Sequence, residues 1–178
     1  MVDISMSRRS FLRRSSLGAT ALAMSGGALV LPACDPVDLL DPDLQGLKLP
    51  PFFTARVIAT TGETVAGTSH TWHTAPDGGA CFGLPDGGWS YVSNSESVPG
   101  GVSFVRFDAA GTIVDAGSAS PGVVTLANCA GGKTPWGTWL TCEEVPNVGR
   151  VFECDPLGGS DAVFRPLMGR FAHEAAAC

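Results

Sequence analysis

A thiol, two tryptophans and two adjacent carboxylates lie close together in the segment from Asn128 to Glu144. Cys129 is flanked by small residues, which let the backbone bend sharply and bring the sulfur close to a ligand. A thiolate beside a metal ion is held deprotonated, and calcium takes carboxylate oxygens such as those of Glu143 and Glu144. These residue types allow a cation site, although spacing alone favours a buried free thiol or a disulfide from Cys129 to Cys142.

Regular strand alternation limits what this segment can present on one side. It sends Glu143 and Glu144 to opposite sides of a strand, so at most one of them faces a shared site. Trp136 and Trp139, three positions apart, also fall on opposite faces, and each is predicted to fill a core rather than to line the site. A solvated carboxylate pair at a strand end is the alternative interpretation for the two glutamates.

A second group of chemically capable residues lies at Arg170, His173 and Glu174. The guanidinium of Arg170 offers a planar fork that matches phosphate oxygens, with a surface ion pair as the alternative. Glu174 is a natural metal ligand, and His173 could orient a metal-binding side chain through a hydrogen bond without binding the metal itself. His70 and His73 lie three apart in a β-rich run, so alternation places them on opposite faces and predicts no metal pair.

The N-terminal segment reads as an export signal. Residues 7–13, Ser-Arg-Arg-Ser-Phe-Leu-Arg, have the form of a twin-arginine export signal. Residues 18–31 form a weakly apolar stretch that is too short for a confident membrane span. Cys34 follows a small residue, as in a lipoprotein cleavage site, and would then carry a lipid anchor; ordinary cleavage near Ala33 is the alternative. The sequence therefore predicts a periplasmic or membrane-anchored protein with a signal over residues 1–33 and an extended tether over 34–51.

The charge and the cysteine content of the chain argue against several classes of function. The chain carries 11 Lys and Arg against 17 Asp and Glu, and four of the basic residues lie within the predicted signal. Such a balance argues against nucleic acid as a partner, because phosphate backbones need clustered basic residues, and it suits a protein that concentrates cations. Six cysteines without a Cys-x-x-Cys pair exclude the common zinc and redox patterns. No feature of the sequence indicates a protein partner.

Residues 52–178 read as one all-β domain. The chain has 23 glycines and 13 prolines, and turns such as 86–88, 108–111 and 155–159 separate short β-rich runs. Strands are predicted at 55–60, 69–74, 80–83, 89–93, 101–107, 112–116, 123–127, 137–142 and 150–154, and more weakly at 163–167. Many short strands at this spacing are typical of a sandwich, a barrel or a propeller, and spacing does not choose among them.

Over roughly residues 80–178 the two motifs resemble the PhoX-type alkaline phosphatases, exported β-propeller enzymes that use iron and calcium. The resemblance implies an incomplete β-propeller of antiparallel blades, with Cys129 as an iron ligand and Glu143 and Glu144, named jointly, at the metal centre. It also implies that Glu174 binds metal. Residues 94–96 resemble a third family element, commonly Asn-His-Glu, in which Ser95 replaces the histidine and Glu96 keeps its place as a calcium ligand.

The function implied is that of a metal-dependent phosphomonoesterase that hydrolyses phosphate esters, with Arg170 on the phosphate. Because the family's chain continues beyond the His-Glu motif, weak or no activity is expected from this polypeptide alone. Two other interpretations stay open. One is a lipid-anchored propeller that binds a partner without catalysis, and the other is an inactive product of a shortened reading frame.

Overall fold

The computed structural model describes residues 38–178. The chain divides into two units, Met1–Thr54 and Ala55–Cys178. Of the first unit only residues 38–54 are described, and they form turns in which the Asp43 carboxylate accepts hydrogen bonds from the amides of Gln45 and Leu47. Within residues 38–178 no helix is both long and apolar enough to cross a membrane. The predicted signal and the Cys34 anchor lie outside the described residues.

The second unit consists of two four-stranded antiparallel sheets, each with its strands in chain order. The first sheet contains β1 (Pro76–Gly83), β2 (Trp89–Ser95), β3 (Gly101–Phe107) and β4 (Ile113–Ser118). The second contains β5 (Asn128–Lys133), β6 (Trp139–Glu143), β7 (Val151–Cys154) and β8 (Val163–Phe164), and a single 3-10 turn follows at Pro166–Met168. This all-β meander of two blade-like sheets confirms the prediction of an incomplete propeller.

The turns form where the sequence places aspartate and glycine. The Asp86 carboxylate accepts a hydrogen bond from the Gly88 amide between β1 and β2, and Asp108 does the same for Ala110 and Thr112 between β3 and β4. Gly111 closes the second turn with a positive φ of 83°, which glycine adopts without steric cost. Local side-chain bonds of this kind fix the hairpins and therefore the register of each sheet.

A single hydrophobic cluster joins the two sheets. Its buried members include Phe82, Val92 and Phe104 from the first sheet and Trp139 and Phe152 from the second. The first strand of the second sheet, β5, lies against β1 and β2. Neighbouring propeller blades pack in this way, with one face of each sheet buried against the next. The packing brings β1 and β5, which we call the innermost strands, side by side.

The opposite face of the first sheet is covered by the irregular segment 55–75. Val65 and Trp72 from that segment pack against Val105 and Phe107 of β3. Two predicted strands, 55–60 and 69–74, are therefore wrong, since this segment forms only an isolated bridge between Thr64 and Thr71. Its β-forming residues serve as a cover for the sheet and not as an extra strand.

The predicted strand at 123–127 is also absent, and the strand that begins the second sheet was missed. β5 reads Asn-Cys-Ala-Gly-Gly-Lys and contains no β-branched or aromatic residue, so it lacks the usual propensity signal. Its glycines are required by close packing: a Cβ on Gly131 would overlap the Leu140 carbonyl oxygen of the neighbouring strand. Tertiary packing therefore creates this strand against its intrinsic preference.

Both innermost strands contain a β-bulge near their start. The register shifts between Pro76 and Gly79 in β1 and between Asn128 and Gly131 in β5. In each case two residues oppose one on the partner strand, which bends the chain and re-aims a side chain. The residues displaced by the two bulges include Asp77 and Cys129.

Candidate metal centre

The two bulges bring Asp77 and Cys129 together at the inner edge of the paired sheets. The Cys129 Sγ lies 3.6 Å from Asp77 Oδ2. Close backbone approach makes this possible, since a Cβ on Gly78 would lie 2.6 Å from the Cα of Ala130. Glycine beside Asp77 and small residues beside Cys129 therefore let the two strand starts meet.

Glu96 completes a group of three donor side chains. One oxygen each of Asp77 and Glu96 and the sulfur of Cys129 all lie within 4.8 Å of one another. Glu96 follows the end of β2, where its backbone amide donates to the Ala75 carbonyl oxygen at 2.9 Å. This bond holds the end of β2 beside the start of β1, so both carboxylates come from one edge of the first sheet.

Glu144 joins this group from the second sheet. It follows the end of β6, donates its amide to the Ala127 carbonyl oxygen at 2.9 Å and forms an isolated bridge with Ala172. Its exposed carboxylate lies close enough to Glu96 and Cys129 to affect the pKa of each. We call Asp77, Glu96, Cys129 and Glu144 the inner-edge cluster.

The inner-edge cluster concentrates negative charge. Desolvation, with a contact from Glu144 and the charges of Asp77, Glu144 and Glu96, raises the pKa of the Cys129 thiol to about 12. Desolvation and the carboxylates of Asp77 and Glu144 likewise raise the pKa of Glu96. Desolvation is the largest cause of both shifts and the neighbouring negative charges add to it, whereas a bound cation would lower the pKa of both groups.

No basic side chain neutralises this charge among residues 38–178. The ion pairs of the described chain join Arg106 to Asp86, Arg150 to Glu143 and Arg165 to Glu153, and none of these acids belongs to the cluster. Carboxylate oxygens suit calcium, and a thiolate suits a softer transition metal such as iron. The donor set therefore fits the pair of metals that the sequence resemblance implies.

Glu143 lies on the other side of β6 and serves the fold. Its side chain is 1% exposed, and its Oε1 is 2.7 Å from the Arg150 guanidinium. The two carboxylate oxygens accept four hydrogen bonds, from the Leu126 amide, the Arg150 amide and the Arg150 side chain. Of the glutamate pair, only Glu144 faces the inner-edge cluster, as strand alternation requires.

The C-terminal segment runs past the cluster on the second sheet. The Ala130 amide, in the β5 bulge, donates to the Glu174 carbonyl oxygen at 2.9 Å, which makes Glu174 a close neighbour of Cys129. The Glu174 side chain is exposed. His173 is 3% exposed, donates its amide to the Glu143 carbonyl oxygen and stacks on Phe171 with ring centroids 3.7 Å apart. His173 therefore anchors this segment.

Arg170 lies away from the inner edge. Its guanidinium carbon is 5.2 Å from the ring centroid of Phe164, in β8 at the outer edge of the second sheet. It takes part in none of the ion pairs formed by the described residues. The structure thus gives Arg170 a cation–π contact and not a place in the inner-edge cluster.

The two tryptophans of the motif differ in burial. Trp139 is 3% exposed in the core between the sheets, as predicted. Trp136 is 66% exposed, so its predicted place in a core is wrong. Its indole N–H donates to Glu153 Oε1 at 2.6 Å, because the residue lies in the turn between β5 and β6 where strand alternation does not apply.

The histidine pair does not occupy opposite faces of a strand. His70 and His73 line one open pocket of about 330 Å³, together with serines that include Ser95 and Ser103. His70 Nε2 is 3.0 Å from Ser103 Oγ, and burial lowers the pKa of both imidazoles. The prediction failed because no strand forms here, so alternation gives no guide to where the rings point.

The cysteines of the described chain are all free. Cys142 is fully buried on the face of β6 that packs against Val151, so the alternative disulfide from Cys129 to Cys142 is not formed. Ser95, where the family element has histidine, is buried and donates its hydroxyl to the Thr74 carbonyl oxygen at 2.8 Å.

Sequence reasoning missed Asp77. The available signal was its position before Gly78 and Gly79 at the start of a β-rich run, which mirrors the small residues that follow Cys129. An exposed aspartate before glycines reads as a turn, and only the bulge turns it toward the second sheet.

Comparison with known proteins supports the resemblance over a short part of the chain. The family model described as alkaline phosphatase PhoX matches residues 115–152, which include Cys129 and Glu144 but not Asp77, Glu96 or Glu174. No curated protein and no solved structure matches the chain. The match supports membership of the PhoX-type alkaline phosphatase family, and with it a relation to phosphatases.

Proposed function

Starting from the family match, we propose that this protein is a metal-dependent phosphomonoesterase of the PhoX type. It would hydrolyse phosphate esters at an iron- and calcium-binding site built on the inner-edge cluster. The observation that carries the proposal is the convergence of Asp77 and Glu96 from one sheet with Cys129 and Glu144 from the next. A bound cation would offset the mutual repulsion of these three carboxylates, none of which forms an ion pair with a basic side chain among residues 38–178.

The residues have separable roles in this proposal. Asp77, Glu96 and Glu144 offer hard oxygens to calcium, and Cys129 offers sulfur to iron. Glu174, whose backbone is tied to Ala130, extends the ligand set from the C-terminal segment. Bound metal ions would supply charge stabilisation for the phosphoryl group and an activated oxygen nucleophile. The protein holds the donors at the end of two packed sheets.

Metal content and stability test the cation site directly. Purified protein is expected to hold iron and calcium at a fixed ratio, and calcium in hundredfold excess over its Kd should stabilise the fold by about 2.7 kcal/mol. Cys129→Ser should lose iron, and Glu144→Gln should weaken calcium binding. Asp115→Asn, on the exposed outer strand β4, is the matched control. Absence of bound metal in the wild-type protein would refute the site.

Turnover tests the reaction separately. Hydrolysis of a phosphate monoester with added iron and calcium should depend on Cys129 and Glu144 and be unchanged by Asp115→Asn. Metal-independent turnover would contradict the mechanism.

A second candidate is a cation-binding module without catalysis. Two observations favour it: Arg170 stacks on Phe164 and not beside the cluster, and Ser95 offers a buried hydroxyl where the family element has an imidazole. This module would bind metal and gain stability from it, yet neither turn over phosphate esters nor bind inorganic phosphate at the metal. A phosphate titration of the metal-loaded protein discriminates the two candidates.

We further propose that the protein is exported by the twin-arginine route and is periplasmic or anchored to a membrane through a lipid on Cys34. The supporting features are the paired arginines 8 and 9 and the small residue before Cys34. Replacing both arginines by lysine should retain the protein in the cytoplasm on fractionation, and Cys34→Ser should release it from membranes. Unchanged fractionation of both variants would contradict export and anchoring.

A further inference from the structure

Asn94 is a fully buried amide at the interface of the two sheets. It lies near the end of β2, is 0% exposed and shares the strand face of Ser90 and Val92, which points toward the second sheet. It also opposes the bulge of β1 that carries Asp77. A buried side-chain amide at such a place must find hydrogen-bond partners or lose stability.

The Asn94 side chain uses all of its hydrogen-bonding capacity across the interface. Its Nδ2 donates to the carbonyl oxygens of Cys129 and Ala130 at 3.0 and 2.8 Å. Its Oδ1 accepts from Trp139 Nε1 and from Thr141 Oγ1, both at 2.9 Å. Two donors and two acceptor sites are all that a carboxamide offers, and every partner belongs to the second sheet.

The two carbonyl groups that Asn94 binds belong to the β5 bulge. Cys129 and Ala130 are the residues at which the ladder between β5 and β6 is interrupted, so their carbonyl oxygens lie outside its regular pairing. Asn94 gives these oxygens donors from the first sheet. It thereby ties the backbone beneath the Cys129 thiol to the strand end that carries Glu96.

We propose that Asn94 is a positioning residue for the inner-edge cluster: it sets the distance between the Asp77 and Glu96 carboxylates of one sheet and the Cys129 thiol of the other. The cation-binding part of this proposal rests on the proposed function. The positional part does not, and it can be measured without metal.

Cation affinity tests the first part. Terbium(III), a calcium-like probe with a preference for hard oxygens, is titrated into the full chain, and emission sensitised by the nearby Trp139 is recorded. Asn94→Ala should weaken terbium binding about tenfold or more, the size of effect seen when the groups supporting metal ligands are removed. Asn94→Thr, which keeps one hydroxyl donor, should give a smaller loss and guards against a variant that fails to fold.

Ser90→Ala is the matched control. Ser90 is also fully buried on β2 and donates a hydrogen bond across the interface, to the Pro156 carbonyl oxygen at 2.7 Å, but four residues from Asn94. Its loss should lower stability without changing terbium affinity. If Ser90→Ala weakens terbium binding as much as the Asn94 variants do, Asn94 contributes only to general packing between the sheets. That result would overturn the proposal.

A cross-linking experiment tests the positional part alone. Asp77→Cys is introduced with Cys34, Cys81 and Cys178 replaced by serine, and disulfide formation with Cys129 is followed under mild oxidation in the presence of a chelator. The 3.6 Å between Asp77 Oδ2 and Cys129 Sγ predicts rapid cross-linking, slowed by Asn94→Thr and unaffected by Ser90→Ala.

The two readouts separate failure of the inference from failure of the proposed function. If the wild-type protein binds no terbium but the Asn94 variants cross-link more slowly, the proposed cation site is wrong. Asn94 would then still be the residue that sets the distance between the two sheets. Unchanged cross-linking in folded Asn94→Thr would overturn the inference whatever the terbium result.

Discussion

Two neighbouring glutamates have opposite environments in this protein. Glu143 is buried and gives all of its acceptor capacity to Arg150 and a backbone amide, while the exposed Glu144 carboxylate lies with Glu96 and Cys129. The difference follows from strand alternation at the end of β6. One residue therefore stabilises the fold, and the next one is available for binding.

Substitution of each glutamate by glutamine should separate these roles. Glu143→Gln removes the charge that compensates Arg150 and should lower the free energy of unfolding by about 2 kcal/mol, below the usual cost for a fully buried pair because Arg150 is partly exposed. Glu144→Gln should leave stability nearly unchanged and weaken calcium binding. Urea unfolding and calcium titration of both variants measure the two effects, and the reverse pattern would contradict the assignment.

The thiols should differ in reactivity. Burial raises the pKa of Cys142 to about 11 and, together with neighbouring carboxylates, raises that of Cys154 to about 12, so both stay protonated at neutral pH. Cys81 and Cys178 are exposed. Iodoacetamide at pH 8 should therefore alkylate the exposed pair in the native protein and the buried pair only after unfolding, as read by peptide mass spectrometry. Equal rates for all four would contradict the packing described.

At the scale of elements, the bulges decide where the chemistry lies. In regular strands the side chains of Asp77 and Cys129 would point to the face that simple alternation assigns them. Each lies in a β-bulge, where two residues face one on the partner strand, and the bulge turns both side chains toward the inner edge. The hairpin between β5 and β6 shows the same dependence on local geometry. Thr138 and Trp136 of its turn, together with Arg165 after β8, donate hydrogen bonds to the carboxylate of Glu153 in β7.

These hydrogen bonds to Glu153 predict a pH-dependent contribution to stability. Burial alone would raise the pKa of Glu153, but hydrogen bonds from Thr138, Trp136 and Arg165 outweigh it and hold the pKa below its usual range. A lowered folded-state pKa contributes stability above the unfolded-state pKa of about 4.3, and this contribution is lost as the pH falls through the folded value.

Glu153→Gln should therefore be less stable than wild type at pH 7, and the gap should narrow as the pH drops from about 5 to about 3. Urea midpoints measured across that range give the comparison. Asp115→Asn, on the outer strand of the other sheet, serves as the control whose pH profile should follow that of wild type. A gap independent of pH would show that the carboxylate charge is not the source of the stabilisation.

At the scale of the whole second unit, one core holds both sheets. Phe152 packs in the same cluster as Val92 and Phe104, so neither sheet buries its inner face without the other. Sheets joined in this way should unfold together, because exposure of one face exposes the other.

Phe152→Ala should lower the free energy of unfolding by about 3–5 kcal/mol, the usual cost of removing a buried phenylalanine. Tryptophan fluorescence and far-ultraviolet circular dichroism should report one coincident transition in the wild-type protein. Two separate transitions would mean that the sheets are independently stable and that the shared core contributes less than its burial indicates.

The sequence by itself determined the all-β class, the hairpin turns at Asp86, Asp108 and Asp155, and the motif around Cys129. These features depend on local chemistry: glycine at positive φ, aspartate bonding to nearby amides, and residue types that bind cations. Strands β2, β3, β6 and β7 were predicted because their β-branched and aromatic residues match the face they bury.

Only the tertiary structure decided which of the candidate ligands meet. Asp77 joined the cluster although its sequence context is that of a turn, Glu143 became part of a buried ion pair, and Arg170 stacks at the outer edge. The outcome depends on a bulge for Asp77, on the pairing of β6 with β7 for Glu143, and on the position of β8 for Arg170. Strand alternation is a local rule, whereas the position of an inner strand relative to the next sheet is set by packing between them. Asn94 illustrates this most directly, since all four of its hydrogen-bond partners lie in the second sheet.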